Sequence, residues 1–102
     1  MTVTANLEWS LTLYVSGASP RSAEAIDTIK MICDVDLAGR VDLQIIDVGE
    51  QPGLAVSDGI LAVPTLVKRL PAPTRRLVGD LTDVARVRAG IDVGHEAPSG
   101  RS

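Results

Sequence analysis

The chain has 102 residues, enough for one domain, and a domain of that size buries about two-thirds of its unfolded surface without disulfides or metals. A net charge of −3 excludes a general attraction to nucleic acid or to an anionic membrane, leaving only local basic patches. With one cysteine and one histidine there is no internal disulfide and no zinc centre of those residues; Trp9 and Tyr14 are alone among Phe, Tyr and Trp, so Val, Leu, Ile and Ala must build the core.

The opening stretch "MTVTANLEWS" has neither a basic n-region nor an apolar h-region, so residues 1–6 read as a flexible terminus rather than a secretory signal. No apolar run is long enough to span a bilayer, and a soluble cytoplasmic protein is expected. The domain itself is expected over residues 7–93. "LEWSLTLYV" alternates, placing Leu7, Trp9, Leu11, Leu13 and Val15 on one face of a strand. "SGASPRS" breaks that strand, and Ser19 is the expected N-cap of a helix with Pro20 at its first position, where a missing N–H costs nothing. Ile26, Ile29, Ile32 and Cys33 recur at helical spacing and predict an amphipathic helix over 20–34; Gly39 closes the connection.

"VDLQIIDV" (41–48) predicts a second strand, and strand–helix–strand implies a right-handed parallel unit. A short helix is expected from Pro52, weakened by Gly53 and Gly59 at about 1 kcal/mol each if they fall inside it. "PTLVKRL" (64–70) and "TRRLVG" (74–79) predict an antiparallel hairpin with its prolines kept in the loop. "DLTDVARVRAGID" predicts a last helix capped by Thr82 or Asp80, with Leu81, Val84, Val87, Arg88 and Ile91 on one face. Residues 94–102 are small and polar and are expected to be a disordered tail.

That order, βαβαββα on one mixed sheet, is an α/β domain of thioredoxin-like arrangement. The chemistry of thioredoxins is absent. If Pro20 takes the place of the proline in a Cys-Gly-Pro-Cys turn, Ala18 and Arg21 stand where the sulfurs would be, and exchange needs an accessible thiolate. Cys33 falls on the apolar helix face and reads as a core residue. His95 lies in the tail and reads as a solvated side chain. None of the phosphate-loop, nucleophile-elbow or zinc-protease patterns occurs, so no catalytic residue, metal or cofactor is assigned.

Lys68, Arg69, Arg75 and Arg76 form a basic cluster on the hairpin of an otherwise acidic chain. Such a cluster either protects an edge strand by charge or docks an acidic protein surface. Nucleic acid is disfavoured because no aromatic side chain is near enough to stack on bases.

"LTLYVSGASPRSAEAIDTIK", "LQIIDV", "QPGLA", "DGILAVPTLVKRLPAPTRRLVGDLTD" and "RVRAGID" resemble the KaiB family of circadian-clock proteins over about Leu11 to Val93. The densest likeness runs from Ile60 to Leu81. The resemblance implies a non-enzymatic clock component that binds a KaiC-type ATPase and displaces a SasA-like histidine kinase from the same site. It also implies metamorphism, with a ground state, often a homo-oligomer, of order βαββααβ as the alternative to the thioredoxin-like order. Lys68, Arg75 and Arg76 match the family and are carried over as partner contacts, with Arg69 beside them. Where the family docks KaiA, this chain has Asp42 and Gln44, and Glu24 replaces a usual basic residue; KaiA is therefore not carried over as a partner.

Five residues are expected to bear on the choice of fold. Gly90 inside the last helix costs about 1 kcal/mol against Ala. Asp92 in its final turn opposes the helix dipole by a few tenths to about 1 kcal/mol. Gly90 also has a plainer reading, as a close-packing glycine. Pro64, Pro71 and Pro73 add X-Pro bonds, whose isomerisation is slow. The alternative function is a thioredoxin-like interaction or sensor domain of a stress-response or two-component system, which calls for a fused kinase not seen after the last helix.

Overall fold

Seven consecutive residues of the first strand are buried or nearly so, on both of its faces, because this strand lies inside the sheet with helices above and below. The structure, a computed structural model, describes residues 8–17 and 19–93. The expected flexible N-terminus with Leu7, the position of Ala18, and the expected tail with His95 lie outside the described residues. The elements are β1 (Trp9–Val15), α1 (Pro20–Asp36), β2 (Val41–Asp47), α2 (Pro52–Ser57), β3 (Thr65–Leu70), β4 (Arg75–Val78) and α3 (Val84–Gly90). This is the expected βαβαββα order rather than βαββααβ.

The sheet runs β2-β1-β3-β4. β1 and β2 are parallel, from Trp9 opposite Val41 to Val15 opposite Asp47, as a strand–helix–strand unit requires. β3 is antiparallel to β1 and to β4. On one face, α1 and α3 cover Trp9, Leu11, Leu13, Val15 and Leu66 with Ile29, Ile32, Leu37, Val87 and Ile91. On the other, the short α2 covers a much smaller group: Tyr14, Ile46, Ala55 and Val67.

Local chemistry explains most boundaries. The Ser19 side chain accepts from the Ser22 amide and Pro20 opens α1, as the sequence predicts. The helix continues two residues past position 34, to Asp36, and Gly39 turns the chain with φ of 76°. Gly59, with φ of 67°, lies beyond α2, so only Gly53 weakens that helix from within. The peptide bonds preceding Pro64, Pro71 and Pro73 are cis.

The last helix departs from expectation. Its N-cap is Asp83, which accepts from the Arg86 amide, while Asp80 instead holds the Thr82 amide and hydroxyl. With the start moved to Val84, Leu81 packs before the helix and Ile91 just after it. Arg88 is not part of the buried stripe. It reaches across to α1, its Nε and Nη2 donating to the two carboxylate oxygens of Asp36 at 2.5 and 3.2 Å. Gly90 ends the helix rather than sitting inside it, and a methyl there would stand 2.7 Å from Leu77 Cδ1 and 2.9 Å from its Cγ, so the close-packing reading holds. Asp92 is not in the final turn but one residue past the C-cap Ile91, with φ of 67°.

Candidate functional site

The register of the hairpin decides where the cations go. Cross-strand neighbours share a face, and Lys68 lies opposite Arg75 while Val67 lies opposite Arg76. Because successive strand residues point to opposite faces, Lys68 with Arg75 belongs to the α1–α3 side, and Arg69 with Arg76 to the α2 side. The basic cluster read from the sequence is thus two pairs, back to back through the sheet.

The first pair converges on Asp92. Lys68 is 1% exposed, its stem in the core, and its ammonium lies 5.8 Å from the centroid of the Trp9 ring. The Lys68 Nζ donates to Asp92 Oδ2 at 3.0 Å, and Arg75 Nε donates to the same oxygen at 3.2 Å. The Lys68 hydrogen bond, with Arg75 next among the favourable contacts, holds the Asp92 carboxyl below its usual range. Lys68 is therefore no surface contact in this arrangement. It supports the hairpin from beneath, and the exposed cation of the pair is Arg75.

The second pair converges on Asp58, the C-cap residue of α2. Its carboxylate accepts from the Arg69 guanidinium and from the buried Tyr14 hydroxyl, and its main-chain carbonyl accepts from Arg76. Arg69 Nε also donates to Thr12 Oγ1 at 3.2 Å. Hydrogen bonds from Arg69 and then Tyr14 lower the Asp58 carboxyl, whereas burial, reinforced by Asp58, raises the Tyr14 phenol. Asp58 thus joins β1, β3, β4 and α2 at one point. Nothing local in the sequence announces it, because its partners are 44, 11 and 18 residues away.

Beside this second pair the surface is apolar. Leu61 is 97% exposed, and Val78, which lines a hollow with it, is exposed too. A hollow of about 290 Å³ is lined by Gly59, Ile60, Leu61, Thr65, Arg76 and Val78, and a second, of about 170 Å³, by Val48, Ala55, Ile60, Leu61 and Val63. A third, of about 310 Å³, lies between β2 and α2, next to the exposed Gln44. Asp42 is also exposed on β2, an edge strand of the sheet.

At the start of α1, Arg21 is exposed and the buried Ser22 hydroxyl accepts from the Ser16 amide at 3.0 Å. Cys33 is buried, far along the helix, and burial with the nearby Asp34 carboxylate pushes its thiol up to about 11. Among the described residues, no three His, Cys, Asp or Glu side chains gather as a metal site, and no helix is long and apolar enough to cross a membrane.

Comparison with known proteins gives a consistent answer. A family model described as the KaiB domain matches residues 12–93. A circadian clock oscillator protein KaiB from Synechococcus sp. is 48% identical over 86 residues, spanning 84% of this chain and 78% of the relative. Its counterpart in Synechococcus elongatus is 48% identical over 83 residues, 81% of each chain. Among solved structures, the N-terminal domain of Synechococcus elongatus SasA superposes with a TM-score of 0.65 at 29% identity, covering 87% of both chains. A thioredoxin from Malassezia sympodialis gives a TM-score of 0.70 at 24% identity over 93% of this chain and 81% of its own, a likeness of fold.

Proposed function

The chain belongs to the KaiB family, and from that premise we propose that it is a cytoplasmic timing protein that binds and regulates a KaiC-type ATPase and catalyses no reaction itself. The observation that carries this reading is the 48% identity to circadian clock oscillator proteins over most of the chain. The docking surface is the edge of the β3–β4 hairpin, with Arg75 and Arg76 as exposed contacts on its two faces, Arg69 on the face of Arg76, and Lys68 bracing Arg75 through Asp92. A SasA-like histidine kinase is the natural competitor, since the N-terminal domain of SasA shares this fold across its length. KaiA is not assigned as a partner, because the β2 edge carries Asp42 and Gln44.

The second part of the proposal is a slow change of fold in residues 52–93, between the thioredoxin-like order and a homo-oligomeric βαββααβ state. Pro64, Pro71, Pro73, Gly90 and Asp92 lie in the rebuilt half. Leaving the present arrangement breaks the contacts of Asp92 with Lys68 and Arg75, and separates Arg88 from Asp36. If the binding-competent fold is about 1% of the population, apparent affinity falls about 100-fold, or about 2.7 kcal/mol.

The experiment is a pull-down of a KaiC homologue by the purified chain, with the secondary structure of residues 52–93 followed by NMR before and after. Retention of the ATPase, with a slow change in those residues, is expected. A chain that retains no KaiC homologue contradicts the reading. A second reading, an interaction or sensor domain of a stress-response or two-component system without circadian role, is favoured by the likeness to SasA. It predicts binding with no change of fold.

A further inference from the structure

We propose that the segment Ile60–Val63, with the hollows on its two sides, is a binding ledge for an extended, acidic-apolar peptide segment of a partner protein. The segment separates the larger hollow, toward Arg76 and Val78, from the smaller, toward Val48 and Ala55, and its own Ile60, Leu61 and Ala62 line both. Its main chain is only partly spent. The Ala62 carbonyl is taken by the Thr65 hydroxyl at 2.6 Å, and the Ile60 amide by the Ala55 carbonyl at 2.9 Å. The Leu61 and Val63 amides and carbonyls make no hydrogen bond to another described residue. Free main-chain groups between two side-chain hollows are what an added strand uses: backbone bonds supply affinity, and alternate side chains enter pockets. A helix, with its own backbone satisfied, leaves those groups unpaired.

The chemistry of the occupant follows from the lining. Both hollows are mostly apolar; the larger is lined by two polar side chains, Thr65, whose hydroxyl donates to the Ala62 carbonyl, and the exposed Arg76. The fitting segment therefore carries two apolar side chains at alternate positions and an Asp or Glu beside them, facing Arg76. Leu61, almost fully exposed, is the side chain such a segment would cover. This ledge deepens the docking surface proposed above by stating the form of the partner's contact, and it does not depend on which protein supplies that segment.

The test is a random heptapeptide library displayed on phage and panned against the whole chain. Enriched peptides are expected to share two apolar residues at alternate positions with a neighbouring carboxylate. A synthetic copy of the most enriched peptide should shift NMR signals at residues 59–65 and 76–78. Leu61→Asp, at a position where the fold does not use the side chain, should weaken that peptide at least tenfold with unchanged circular dichroism. Arg76→Glu should select basic peptides instead. No enrichment over an unrelated control domain, or peptides that bind Leu61→Asp as well as the unaltered chain, overturns the ledge. If the ledge fails while a KaiC homologue is still retained, the hairpin docking surface stands without it; if peptides bind and no such ATPase does, the ledge stands alone.

Discussion

The Lys68 ammonium and the Asp92 carboxylate lie 3.0 Å apart, tying the central strand β3 to the first turn after the last helix. The cation is buried and the anion sits in a left-handed backbone conformation open to Asp but unfavourable to most residues. This contact holds the C-terminal end of α3 against the sheet and fixes Arg75 through the shared oxygen.

Truncating Lys68 therefore acts first on stability. Lys68→Ala removes a fully buried stem together with the ion pair and should cost about 2–4 kcal/mol. Urea unfolding followed by Trp9 fluorescence reads this directly, because the chain's single tryptophan is buried in the core. A loss under about 1 kcal/mol contradicts the buried placement.

Arg88 and Asp36 make the corresponding contact between α3 and α1, in two-pronged geometry. Asp36→Asn should cost about 1 kcal/mol and raise hydrogen exchange across residues 84–91. Exchanging the charges, Asp36→Arg with Arg88→Asp, should recover part of that protection. Equal exchange in all three proteins contradicts a latching role.

Asp58 sets a limit in acid. Its pKa is depressed in the folded chain, so its contribution to stability is present above the unfolded carboxylate value, about 3.9, and is lost as pH falls through the lower folded value. Asp92, also depressed, loses its contribution in the same range. Urea midpoints measured from pH 6 down to pH 2 should fall steeply below about pH 4, and less steeply in Asp58→Asn. A variant whose acid limb matches the unaltered chain contradicts the convergence of Tyr14 and Arg69 on that carboxylate.

Cys33 should be chemically silent. With a thiol pKa of about 11, roughly one part in a thousand is thiolate at pH 8, and burial blocks access to that fraction. Labelling with a disulfide reagent should be negligible in the native chain and complete in guanidinium. Rapid native labelling, or reduction of insulin, contradicts a structural role.

The sequence-based reading succeeded where signals were local. Ser19-Pro20 marks the start of α1, alternation marks β1, and β-branched residues mark β2. It failed where long-range register decides. Lys68, Arg69, Arg75 and Arg76 look like one patch until the pairing of Lys68 with Arg75 and Val67 with Arg76 sends them to opposite faces. Asp80, Thr82 and Asp83 are all chemically able to cap a helix, and packing of Leu81 into the core before the helix chose Asp83. Asp92 looked like an ill-placed charge at a helix end until the buried Lys68 supplied its partner. Asp58 and Asp36 could be recognised only once the strands and helices that bring their arginines were in place.

The central claim is that the exposed arginines of β4 carry the docking of a KaiC-type ATPase. Titration calorimetry of the chain against a KaiC homologue, with and without Arg75→Glu and Arg76→Glu together, tests it most directly. The account predicts measurable binding by the unaltered chain and at least a tenfold loss in the doubly reversed one, with circular dichroism unchanged. Binding of equal strength by both proteins, or by neither, contradicts it.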